Sequence, residues 1–110
     1  MRVLITGISG FAGSHLAEYC LEQGAEVHGT VQWDSHTDNI DHIRDRLQLH
    51  ECAMRDLTAV SNVIADSVPD RIFHLAAQTY VPSSWRAPAE TLMNNILCQI
   101  NLFEAVRLQD

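Results

Sequence analysis

Two hydrophobic periods alternate along this chain. Arg2 to Thr6 (RVLIT) is a continuous, β-branched run that stops at Gly7, the form a strand buried in a parallel sheet takes before a glycine loop. From Phe11 to Gln23, Gly13, Leu16, Ala17, Cys20 and Leu21 recur at helical spacing, with His15, Glu18 and Glu22 on the opposite face and Gly24 as a stop. Glu26 to Gln32 (EVHGTVQ) reads as a second strand. Thr37 to Arg46 is polar, with Ile40, Ile43 and Leu47 spaced for a short helix. Leu47 to Ala53 reads as a third strand. Thr58 to Val68 predicts an amphipathic helix capped by Thr58, with Val60, Val63, Ile64 and Val68 facing inward, and Pro69-Asp70 makes a turn. Arg71 to Ala76 (RIFHLA) is a fourth strand, and Pro82 to Pro88 a loop or short helix. Ala89 to Leu108 is a long helix with Leu92, Ile96, Ile100, Phe103 and Val106 among its apolar positions.

Strand and helix alternate four times, without repeats or low-complexity tracts. That order predicts an α/β fold: a Rossmann-like parallel sheet with right-handed crossovers and helices on both faces, truncated after about four strands. In such a sheet ligands settle at the carboxyl ends of the strands, where strand order reverses, so the loops after Thr6, Gln32, Ala53 and Ala76 are expected on one rim. The 110 residues, 46% of them hydrophobic, allow one globular domain at most. A formal charge of −7, without a basic patch and without a single lysine, argues against nucleic acid or an anionic membrane as partner. No apolar stretch approaches a membrane span and no leader is evident, so a cytoplasmic location is expected. Cys20, Cys52 and Cys98 show no C-x-x-C spacing and read as reduced core thiols.

The chemistry concentrates after the first strand, in Thr6-Gly7-Ile8-Ser9-Gly10-Phe11-Ala12-Gly13, a G-x-x-G-x-x-G loop between strand and helix. Gly7 lets the chain turn sharply, Gly10 removes a side chain so that a pyrophosphate can approach the backbone, and Gly13 allows close packing of the helix. The helix start then offers N–H groups and a partial positive charge, which answers how an acidic, lysine-free chain holds an anion. The plainer alternative is a tight turn and nothing more. A dinucleotide, NADP or NAD, is the expected cofactor. Choice between them rests on the end of the second strand, where an acid would bind a free ribose hydroxyl and a base a 2′-phosphate. There Gln32 is neutral, and Asp34 is either the ribose ligand or the start of an Asp34-Ser35 turn.

The glycine loop, Arg55-Asp56-Leu57 after the third strand, His74-Leu75-Ala76-Ala77-Gln78, and Val81-Pro82-Ser83-Ser84-Trp85 with Pro88, Thr91 and Asn95 together resemble the extended short-chain dehydrogenase/reductase family. The similarity covers essentially the whole chain and is nearest the GDP-mannose 4,6-dehydratase and GDP-sugar 4-reductase branch, with nucleotide-sugar epimerases as wider relatives. The resemblance implies a cofactor site of Gly7, Ser9, Gly10, Phe11, Ala12, Gly13, Gln32, Asp56, Leu57, Leu75, Ala76, Ala77 and Gln78. Within it Asp56 and Leu57 would meet the adenine, and Ala76, Ala77 and Gln78 would line the nicotinamide side. It implies that Ser83 or Ser84 approaches the diphosphate of a GDP-sugar substrate, and that Asn95 helps position catalytic groups. Each has a plainer reading: Asp56 as a helix cap, Ala76 and Ala77 as small packing residues, Ser83 and Ser84 as loop polar groups, Asn95 as a solvated helix residue. Where the branch carries an Arg suited to a 2′-phosphate, this chain has Gln32, and Cys98-Gln99 stands for a usual Gly-Thr in the last helix, a change read as packing.

The family's hydride transfer from sugar C4 depends on a tyrosine and a lysine four residues later. With tyrosine only at positions 19 and 80 and no lysine, these 110 residues hold no such pair, so no catalytic residue is assigned to them. The six histidines form no ligand spacing, and no metal is expected. Two readings follow: the cofactor-binding front of a nucleotide-sugar dehydratase, reductase or epimerase, or a non-catalytic nucleotide-binding module or gene relic. Homo-oligomerisation is expected, since the fourth strand would leave an open sheet edge.

Overall fold

A computed structural model describes residues 1–76 and 88–109. The elements in chain order are β1 (Arg2–Thr6), α1 (Phe11–Glu22), β2 (Glu26–Val31), a 3-10 segment (Asp38–Arg46), β3 (Leu47–Glu51), α2 (Leu57–Ser67), β4 (Arg71–His74) and α3 (Pro88–Gln109). The strands form one parallel sheet in the order β3-β2-β1-β4. The chain winds outward from β1 through β2 to β3, then returns to place β4 on the other side of β1. Strand order therefore reverses between β1 and β4, and there the carboxyl ends at Thr6, Thr30 and His74 stand in register.

The alternation of side chains along β1 divides the core. Val3 and Ile5 pack with Ala17 and Cys20 of α1, Val27 and the isoleucines of the 3-10 segment. Leu4 points the other way, into Val60, Val63 and Ile64 of α2 and Cys98, Leu102 and Ala105 of α3. Apolar residues of β1 are thus buried from both sides, which is why its sequence runs rather than alternates. All three cysteines are free and buried.

Several sequence expectations are adjusted. The segment before β3 forms 3-10 turns rather than a regular helix. Ile40 and Ile43 are three apart, a spacing that three residues per turn place on one face, and both are buried. Asp56, not Thr58, caps α2: its Oδ1 accepts from Thr58 N at 3.0 Å and Ala59 N at 3.3 Å. A carboxylate answers two orphan amides there, with the favourable charge for a helix start. Val68 is exposed rather than inward, because it closes α2 in the left-handed region (φ 43°) immediately before Pro69, and Ser67 takes the buried position. In α3 the apolar positions Leu92, Ile96, Ile100 and Phe103 are exposed, and the buried face is Cys98, Asn101, Leu102 and Ala105. β2, β3 and β4 end one or two residues earlier than their apolar runs suggest, although Cys52 N–H still donates to Val31 O (2.9 Å) and Leu75 N–H to Thr6 O (3.2 Å).

Candidate functional site

The end of β1 is built by backbone. Gly7 adopts φ +69°, and a Cβ there would stand 3.0 Å from the Ala76 backbone, so the turn requires glycine on two counts. Its N–H donates to Thr30 Oγ1 at 3.2 Å, while Ile8 N–H donates to Thr30 O, which ties the loop to β2. Gly13 has a different reason: a Cβ would lie 2.5 Å from Gly7 O and 2.9 Å from Ile8 Cα, so α1 packs directly onto the loop that leads into it. Gly10 has neither. Its φ of −72° suits any residue, and the nearest atom to an added Cβ is Gly7 O at 3.4 Å. Among the described residues neither strain nor packing asks for glycine at position 10, which leaves room for the close approach of something else.

Gly10 is also the N-cap of α1, and no side chain caps that helix. The amides of its first turn have no intrahelical partner, and the helix dipole adds positive potential there. Phe11 and Ala12 expose their side chains, so this turn's contribution toward Gly10 is backbone N–H. A cleft of about 340 Å³ opens at this point, lined by Gly7, Ser9, Gly10, Gln32, Leu75 and Ala76 among others. The cradle thus meets what a pyrophosphate needs: free amides, no intruding Cβ and no carboxylate among the lining residues.

Thr6 stitches the two sides of the switch point. Its Oγ1 accepts from Leu75 N (2.9 Å) and Ala76 N (3.1 Å), so its single proton goes to His74 Nδ1 at 2.7 Å. His74 is thereby held neutral, with its proton on Nε2, and burial lowers its pKa from the usual 6.5. This three-way bond fixes the path of residues 74–76 alongside Gly7, and Leu75 and Ala76 line the cleft.

A second, larger cleft of about 720 Å³ adjoins the first across the ends of β2 and β3. The two share Gln32, Cys52, Met54, Asn94 and Cys98 in their linings. Asn101, buried on α3, donates to Met54 O at 3.0 Å and holds the β3–α2 loop in place. Burial, with the negative charge of Asp56 and the neighbouring Cys98 thiol, pushes the Cys52 thiol up to about 11. Burial also raises Cys98, against a smaller lowering by Arg55. Both stay protonated and act as apolar lining rather than nucleophiles.

Of the residues singled out from sequence, Gly7, Ser9, Gly10, Gln32, Leu75 and Ala76 converge on the smaller cleft and Asp56 lines the larger one. Gly13 supports the loop from behind. Phe11, Ala12 and Leu57 line neither cleft with their side chains. Asp34 lies inside a turn closed by Gln32 O and Ser35 N–H at 3.0 Å rather than at its start, and it lines the larger cleft. Ala77, Gln78, Ser83 and Ser84 lie outside the described residues. Asn95 is half-buried on α3, whereas its neighbour Asn94 lines both clefts. Sequence reasoning missed Asn94, Met54 and Asn101, which carry no motif, and also Gly29. An added Cβ at Gly29 would meet Ile8 Cγ2 at 2.6 Å, so β2 makes room for the loop's fully buried side chain. A glycine inside a strand run was the available signal.

Comparison with known proteins gives this geometry a lineage. The family model described as GDP-mannose 4,6 dehydratase matches residues 4–110. The chain belongs to that family. It is 35% identical to the GDP-mannose 4,6-dehydratase of Vibrio cholerae over 94% of its own length and 36% identical to the CDP-glucose 4,6-dehydratase of Salmonella typhimurium over 96%. It spans about 30% of the length of each. Among solved structures, the UDP-glucose 4-epimerase of Thermus thermophilus, in complex with NAD, superposes with a TM-score of 0.87 at 32% identity, over 98% of this chain and 34% of that one. This member of the GDP-mannose 4,6 dehydratase family therefore carries the Rossmann-like fold of nucleotide-sugar dehydratases and epimerases. No helix among the described residues is long and apolar enough to cross a membrane.

Proposed function

We propose that this chain is the dinucleotide-binding part of an NAD(P)-dependent nucleotide-sugar enzyme of the GDP-mannose 4,6-dehydratase kind. The observation that carries the reading is Gly10: a glycine that neither the backbone nor the packing of the described residues requires, at an uncapped helix start, on the rim where strand order reverses. Bound there, the nicotinamide would take the hydride from the sugar's C4. The residues of this chain bind and orient. The amides of 11–13, at the helix start, hold the pyrophosphate, and Asp56 and Leu57 lie toward the adenine. Leu75, Ala76, Ala77 and Gln78 line the nicotinamide side, and Ser83 and Ser84 approach the diphosphate of a GDP-sugar. None of the 110 residues is lysine, so the proton-transfer pair of the family lies outside them and this stretch alone does not turn over substrate.

The exposed face of α3 supports self-association. Met93, Ile96, Ile100 and Phe103 are 49–69% exposed at spacings of three, four and three. That stripe is symmetric about its own centre, so an antiparallel second copy places Ile96 on Ile100 and Met93 on Phe103.

Titration with NADH and NADPH, followed by fluorescence of the reduced nicotinamide, tests the assignment. Saturable binding of at least one is expected, and no binding of either at millimolar concentration overturns it. The native gene product incubated with GDP-mannose and NAD(P) is expected to release one water from the sugar, read by mass. An unchanged sugar nucleotide overturns the dehydratase assignment within the family.

A further inference from the structure

The glycine loop is held by a residue 30 positions further along the chain. Asn39, in the 3-10 segment, donates from Nδ2 to Ser9 O at 3.0 Å. The same peptide unit is held at its other end, where Gly10 N–H donates to Gly7 O at 3.1 Å. On the far side of Gly10, its carbonyl accepts the first bond of α1 from Ser14 N at 2.9 Å. Both peptide planes that flank Gly10 are therefore fixed. Asn39 is exposed, but its backbone is anchored: Ile40 beside it is fully buried and belongs to the same core cluster as Ile8 of the loop. Ile40 N–H donates to Thr37 O at 3.0 Å, and His42 reaches Glu18 of α1. Backbone, core and surface contacts thus hold the segment that presents the Asn39 amide.

This inference rests on the dinucleotide reading above. Glycine has more backbone freedom than any other residue, so Gly10 does not itself set the direction of the peptides beside it. With Gly10 N–H committed to Gly7 O, the amides left for an anion are those of 11–13, and their aim follows from the planes on either side of Gly10. A carbonyl is the wrong end of the peptide dipole for a phosphate. Asn39 lines neither cleft, and it engages Ser9 O from the 3-10 segment. We propose that Asn39 is a positioning residue for the pyrophosphate, which by fixing the Ser9–Gly10 peptide preorganises the amides of 11–13. A loop competent for only part of the time weakens apparent binding by that fraction, so loss of this exposed bond is read in affinity rather than in folding.

The test uses the native gene product and three substitutions. Asn39→Ala removes the donor, Asn39→Asp replaces it with an acceptor of equal size, and Asn39→Gln keeps it on a longer arm. Dissociation constants for NADH and NADPH are read by fluorescence, with melting temperature and deuterium exchange measured on the same samples. For whichever dinucleotide the parent holds more tightly, Asn39→Ala is expected to bind at least about threefold more weakly. Asn39→Asp should lose at least about tenfold, because a carboxylate repels Ser9 O and the anion alike, and Asn39→Gln should stay within about twofold of the parent. Exchange should rise in peptides covering residues 7–12 and not in those of β2 or α2, with every variant melting within a few degrees of the parent. Asn39→Ala or Asn39→Asp binding as the parent does overturns the positioning role. So does Asn39→Gln failing alongside Asn39→Asp, or a loss of binding matched by a general rise in exchange; the dinucleotide reading survives each. If the parent binds neither NADH nor NADPH, the dinucleotide reading fails and takes the positioning role with it.

Discussion

Gly10 and Gly13 sit three residues apart in one motif, yet the structure gives them opposite sensitivities. At Gly13 an added methyl would stand 2.5 Å from Gly7 O, 2.9 Å from Ile8 Cα and 3.1 Å from Ile8 C, all backbone atoms of a loop pinned by Thr30. Helix propensity favours alanine over glycine by about 1 kcal/mol, but forcing a methyl into packed backbone costs about 1–3 kcal/mol, and more where the obstacle cannot rotate away. Gly13→Ala should therefore be net destabilising by about 1–2 kcal/mol, or about 4–16 °C in melting temperature for a domain of this size. At Gly10 the methyl meets only Gly7 O at 3.4 Å, in a backbone conformation alanine adopts freely. The loss of a glycine N-cap and the gain from a less flexible unfolded chain are each below about 1 kcal/mol and opposed. Gly10→Ala should melt within a few degrees of the parent and bind NADH at least tenfold more weakly, about 1.4 kcal/mol. Thermal unfolding followed by circular dichroism, paired with fluorescence titration on the same samples, separates the two effects. A Gly10→Ala protein that binds NADH as the parent does, or one that melts as low as Gly13→Ala, would refute the assignment of position 10 to ligand approach.

Other expectations follow from the same contacts. His74 and His50 both have pKa values below 6.5, mainly through burial, so the unfolded chain binds more protons just below that pH. Their contribution to stability is complete above about pH 6.5 and is lost as pH falls through their folded values; urea midpoints at pH 7.5 and 5.5 should show the drop, and His74→Gln should shrink it. Asp56→Ala should cost about 1 kcal/mol through loss of the α2 cap, with Asp56→Asn largely preserving stability, as read by urea unfolding. Val68→Asn should raise the melting temperature by several degrees, because asparagine tolerates the left-handed region better than a β-branched residue, a difference of about 1 kcal/mol. Ile100→Glu should shift the sedimenting species toward monomer, and an unchanged mass distribution would place self-association elsewhere than α3.

What was legible in the sequence and what was not divides along a physical line. β1 could be read to the residue because its buried centre, Val3 to Ile5, is an unbroken apolar run and Gly7 marks the stop. The glycine loop was legible because its requirements are steric and local. The cap of α2 was misplaced by two residues, since Thr58 and Asp56 are both good caps and only the path of the preceding loop decides between them. The buried face of α3 was hidden for another reason. Apart from Leu102, its buried residues are small or polar (Cys98, Asn101, Ala105), which suits close packing and the bond to Met54 O, while most of the larger apolar residues face out. A hydrophobic period points to the bigger side chains, and on this helix they lie on the face not packed against α2.

The same division runs through the candidate site. Its glycine-loop end is made of backbone, so a motif of three glycines between strand and helix is enough to foresee its shape. The larger cleft is made of side chains brought together from four places: the turn after β2, the end of β3, the start of α2 and the first turns of α3. No spacing in the sequence links Asp34 to Glu51 or Glu90, and Asp34 on its own was equally a turn residue and a ribose ligand. Only the parallel pairing of β2 with β3, which sets Val31 beside Glu51, turns separate acids into one rim with a common field. For that reason the glycine loop could be read from local chemistry, whereas the grouping of these side chains depends on tertiary placement and is where measurement will be most informative.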